Sequence, residues 1–104
     1  MTVTLTRFVP GPAIPELLTE AWEAVKNILG VVNSGEGEVD APGFLWMGRS
    51  QILQTWNSNL GILTWISLHN AIGAIYDYMS STVFGEAIIT IYDGNTEIGR
   101  GMIK

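Results

Sequence analysis

From Ser50 to Tyr76 the chain runs for 27 residues without an Asp, Glu, Lys or Arg, and its one histidine, His69, lies in that stretch. A segment with so little to hold it in water must be covered by something: its own core, another subunit or a lipid phase. Trp56 and Trp65 lie inside the stretch and Trp46 lies just ahead of it. The whole chain shares the shortage. Charged residues make up 14% of its 104 residues, against about 25% in an average soluble domain. A monomer of this size buries roughly 65% of the surface that its unfolded chain exposes, enough for one core and no second. Fifteen charged side chains, five basic and ten acidic, are few to wet the remainder. Apolar surface left over after folding is therefore expected to meet a partner.

Several function classes drop out. No cysteine is present, which removes disulfide scaffolds, thiolate metal sites and thiol nucleophiles. A single histidine removes a poly-histidine metal centre within one chain. The net charge of −5 opposes nucleic acid, whose binding needs clustered Lys and Arg. A membrane span is not expected either. The most apolar window, Leu60 to Met79, contains His69, Asn70 and Asp77 and has no basic residue behind it until Arg100, whereas a spanning helix needs about 20 predominantly apolar residues. The opening Met1-Thr2-Val3-Thr4-Leu5-Thr6-Arg7 lacks a basic start followed by an apolar block, so no signal peptide is expected. The expectation is a soluble chain, cytoplasmic or particle-associated.

Residues 2–9 alternate Thr with Val or Leu and predict a strand, since β-branched side chains suit a pleated surface. Pro10-Gly11-Pro12 ends it, because proline lacks the ladder N–H. Ile14, Leu17, Leu18, Ala21, Trp22, Val25, Ile28 and Leu29 then follow helical spacing, which predicts an amphipathic helix over about 13–29 with Gly30 as its C-terminal cap. An acidic, glycine-rich loop is expected at about 33–43. Phe44 to Met47 reads as a short strand or the start of a helix. Ser50 is placed to cap a helix from Gln51 to about Asn59 with Ile52, Leu53 and Trp56 on one side.

From Ile62 the two periods conflict. A helix over most of 62–82 would gather Ile62, Trp65, Ile66, His69, Ile72, Tyr76 and Met79 on one face. A hairpin pairing Gln51–Asn57 with Ile62–Leu68 stays open beside it. The C-terminus reads as a hairpin turning at Asp93-Gly94-Asn95. Gly99 and Gly101 in its returning strand leave either a groove that a helix or another chain can approach, or a weak edge strand. The expected fold is thus α+β: one small domain with an N-terminal strand, an amphipathic helix, one or two apolar helices and a C-terminal hairpin, the strands forming an antiparallel sheet with helices on one face.

Chemistry is sparsely encoded. Asp77 lies eight residues from His69, about 12 Å along a helix, too far to pair with it directly. Glu36, Glu38 and Asp40 sit among glycines, where carboxylates keep ordinary pKa values, and they lack the calcium-loop pattern. Gly-x-Gly at 35–37 and 99–101 opens no helix with a following lysine, so neither cradles phosphate. No enzyme, cofactor or metal is expected. The leading expectation is a non-enzymatic structural or assembly protein, for example a particle or virion component, that associates with itself or docks onto another protein. Trp56, Trp65, Ile62 and Ile66 would supply its apolar interface, with Arg100 and the hairpin edge extending it. The other expectation is a small binding module that holds an apolar ligand between helix and sheet, with His69 or Tyr76 giving a polar contact.

Overall fold

The alternation at the N-terminus builds strand β1 (Thr2–Phe8), and the apolar stripe after the prolines builds helix α1 (Ala13–Val31). A computed structural model describes residues 1–31, 39, 43–58 and 61–104. Within these follow β2 (Phe44–Met47), β3 (Ile52–Asn57), helix α2 (Trp65–Ser81), β4 (Gly85–Asp93) and β5 (Thr96–Ile103). The strands form one sheet in the order β1-β4-β5-β3-β2, antiparallel at every junction. The connection through α1 therefore leads from one edge strand to the other, and α2 leads back inward. The arrangement is the expected α+β one, with an N-terminal strand, two helices and a C-terminal hairpin.

Ile14, Leu17, Leu18, Ala21 and Val25 of α1 are fully buried, as the stripe predicts. Gly30 does not end α1: the helix runs through it to Val31. The acidic loop of 33–43, with Glu36, Glu38 and Asp40, lies outside the described residues except for Val39 and Gly43. Val39 is buried and its N–H donates to the Leu63 carbonyl at 2.9 Å.

The helix expected at 51–59 is instead the interior strand β3. Ile52, Leu53 and Trp56 suit one helical side, but the backbone of this segment is claimed on both flanks, by β2 and by β5. A ladder on each side outweighs a marginal local helix, because short helices owe most of their stability to packing. Its partners also correct the hairpin alternative: residues 62–68 do not pair with it. Gly48 donates to the Gln51 carbonyl at 2.8 Å and closes the β2–β3 turn, leaving Ser50 in that turn rather than at a helix cap.

Helix α2 starts at Trp65, capped by Thr64, whose hydroxyl accepts the Ser67 N–H at 3.3 Å. Its buried side is Leu68, Ala71, Ile72, Ile75 and Met79, rotated from the expected face, so Ile66 and Tyr76 are exposed. The segment before it is extended. Leu63 donates its N–H to Asn57 Oδ1 at 2.8 Å and drops its side chain over Gly99, where an added Cβ would lie 3.2 Å from Leu63 Cδ1. Thr55 does the same beside Gly101, with Cγ2 3.0 Å from the missing Cβ. The notch left by the two glycines is thus filled from within the chain, and β5 is an interior strand rather than an edge.

Inward-facing Leu53, Ala87, Ile89, Ile91 and Ile103 meet both helices in one core. At Gly94, φ is +62°, a value the tight β4–β5 turn requires and glycine adopts freely.

Gly85 stands opposite Phe8, and a Cβ there would collide with the Arg7 carbonyl oxygen. Gly85→Ala is accordingly expected to push β1 off β4 and to destabilise the fold by about 1–3 kcal/mol. Gly30→Ala, with open space around its Cβ, should stabilise α1 by up to about 1 kcal/mol. Chemical denaturation of the two variants checks both signs.

Candidate functional site

Among the described residues, only one face of the sheet is covered. Along β4, Ala87, Ile89 and Ile91 point to the helices and are buried, while Ile88 and Tyr92 on the opposite side are 57% and 43% exposed. In β2, Phe44 is buried and its neighbours Leu45 and Met47 are 53% and 68% exposed. An antiparallel sheet with one wet face normally alternates apolar and polar residues. Here both faces carry large apolar side chains.

The strand register assembles this outer face. One row crosses all five strands as Thr4, Ile88, Met102, Gln54 and Leu45. A flanking row runs Thr2, Thr90, Arg100 and Trp56. On the other side Met47 stands opposite Ile52. Apolar side chains fill the middle and the β2 side, and charge sits toward the ends. Arg7 pairs with Glu86 at 2.8 Å, and Arg100 pairs with Glu97 at 2.9 Å. Ser58 also donates its hydroxyl to the Glu97 carboxylate. The hydrogen bonds from Arg100 and Ser58 hold the Glu97 carboxyl below the usual carboxylate range, and Glu97 in turn raises Arg100. Arg7 and Arg100 are therefore already neutralised by acids of the same chain, and Lys104 stands opposite Ile52 at the end of the Met47 row.

The sequence-derived interface residues divide between two surfaces. Trp56 and Arg100 are direct cross-strand neighbours on the outer face. Trp65 is half-buried on the helical side, edge-on to Phe44 with centroids 6.1 Å apart. Ile62 and Ile66 are exposed just before and within α2, away from the sheet. The hairpin offers no free edge, because β4 and β5 both have neighbours on each side. Leu45, Met47, Ile88 and Met102 were not among the expected residues. The readable signal was Phe44-Leu45-Trp46-Met47 and Ala87-Ile88-Ile89-Thr90-Ile91-Tyr92, strands apolar on both sides.

His69 and Tyr76 are not brought into contact: His69 packs on Trp22 of the other helix, whereas Tyr76 packs edge-on to Phe84 and lines the groove beside Trp22. The His69 ring lies 4.5 Å from the Trp22 ring, and its buried Nε2 has no hydrogen-bond partner. Lys26 Nζ sits 5.3 Å from the same indole. Beside it opens a groove of about 320 Å³ lined by Leu18, Trp22, Ile72, Gly73 and Tyr76. Among the described residues no group of His, Asp or Glu is placed to hold a metal ion, and no helix is long and apolar enough to cross a membrane.

The depressed Glu97 sets a pH dependence. A carboxyl whose folded pKa lies below its unfolded value stabilises the fold above the unfolded pKa, and that contribution is lost as pH falls through the folded one. Glu97→Gln is expected to flatten the acid limb of a stability-versus-pH curve while lowering stability at neutral pH. Thermal melts of both proteins across the acid range test this. No family model, no curated protein sequence and no solved structure matches the chain.

Proposed function

We propose that the protein is a non-enzymatic building block that works by self-association, alone or within a larger assembly, through the outer face of its sheet. The observation that carries this reading is the uncovered face itself, with Ile88, Leu45 and Met47 each more than half exposed. Exposed apolar side chains gathered into one patch mark an interaction surface, whereas scattered ones do not. Trp56, half-buried at its edge and beside Arg100, supplies the kind of aromatic and arginine pair that dominates interface energetics. A particle or virion component would use such a unit. In a dilution series followed by light scattering, the apparent mass is expected to rise above the 11.3 kDa of one chain as concentration increases. A mass that stays at one chain throughout removes self-association.

The groove beside Trp22 favours a second reading, a small module for an apolar ligand, with Tyr76 at its wall and His69 behind the indole. An apolar ligand seated there is expected to shift the tryptophan emission of the wild type and to leave that of Trp22→Phe unchanged. Titration with an aliphatic alcohol or fatty acid series followed by fluorescence decides it, and an identical response from both proteins removes the groove.

A further inference from the structure

Resting on the association reading above, we infer that the occupant of the outer sheet face is the same face of a second copy, packed about a two-fold axis so that the helices point outward. Charge selects this orientation. Of the five ionic side chains on the face, Arg7, Glu86, Glu97 and Arg100 form two ion pairs within the chain, and Lys104, paired across from Ile52 at the end of a row, leaves a sum of +1. The helix layer carries Glu16, Glu20, Glu23 and Asp77 against Lys26, four acids to one base. Two sheet faces bring together one uncompensated lysine each, at the end of a row, whereas two helix layers bring together four acids each, and like charges across an interface are unfavourable.

Size agrees with this occupant. Five strands at about 4.8 Å spacing, some six residues long at about 3.3 Å each, make a face of roughly 480 Å², so a closed pair buries about 960 Å² before side-chain relief is counted, the size of a weak, reversible interface rather than of a permanent one. The anatomy is that of an interface too, with Ile88, Met102 and Leu45 in the middle row and Trp56 and the two ion pairs flanking it. Edge growth is blunted on both sides: β2 has four residues, and β1 breaks register between Leu5 and Arg7. A face-to-face pair is closed and exposes no second copy of the patch, so association stops at two.

The 104-residue chain is run in light scattering across a dilution series, as wild type, Ile88→Lys, Met102→Lys and the helix-face control Ile66→Lys. The wild type is expected at twice the 11.3 kDa chain mass when concentrated. Either sheet-face lysine, set against its own symmetry mate, should raise the dissociation constant roughly a hundredfold, and Ile66→Lys should leave it unchanged. Circular dichroism reports whether the lysine variants fold. Because the chain contains no cysteine, a single introduced thiol gives a readout independent of them. A short bis-maleimide should join Met102→Cys copies and leave Glu23→Cys copies unjoined. A pair that ignores the sheet-face lysines, cross-linking through Glu23→Cys alone, or particles larger than two copies each overturn the face-to-face inference and leave association standing. A single-chain mass at every concentration overturns both.

Discussion

The fold depends on how closely the segment leading into α2 can settle onto the middle of the sheet. That approach is possible because β5 presents no side chains where it is needed: Leu63 occupies the space over Gly99, and Thr55 leans into the space beside Gly101. A side chain at either position would have to share volume with a filled core, and protein interiors tolerate little of that. With Leu63 seated, α2 begins at Thr64 and lays Leu68, Ala71, Ile72, Ile75 and Met79 against α1 and the strands. One face of the sheet is sealed in this way. Both helices are spent on that face, so nothing in the described residues remains to seal the other.

The distribution of charge follows the same division. The acids of α1 and α2 stay on the outside of the helix layer, where water solvates them. The sheet's ions are drawn into pairs, with Glu97 receiving both the Arg100 guanidinium and the Ser58 hydroxyl. Pairing them in place leaves an outer face that is apolar in the middle, with its arginines neutralised and Lys104 at the end of one row. The Trp22 cluster is a smaller counterpart on the helical side. There Gly73 lets the indole rest against α2 at 3.5 Å from the position of the missing Cβ, flanked by His69 and Lys26.

Local pattern alone determined β1, α1 and the C-terminal hairpin, because each states its own period or turn: alternation from Thr2, the 3-4-7 stripe from Ile14, and glycine where φ is positive at Gly94. The scarcity of charge was equally plain, and with it the expectation of apolar surface needing cover. Only the tertiary structure decided the rest. Ile52, Leu53 and Trp56 satisfy a helix as readily as a strand until β2 and β5 arrive from distant parts of the chain to claim both sides of the backbone. That Trp56 and Arg100 share a face with Ile88, Met102, Leu45 and Met47 follows from strand order, which no short-range spacing encodes. Which side of a strand faces outward is set by where the helices land, and that is a property of packing across the whole chain.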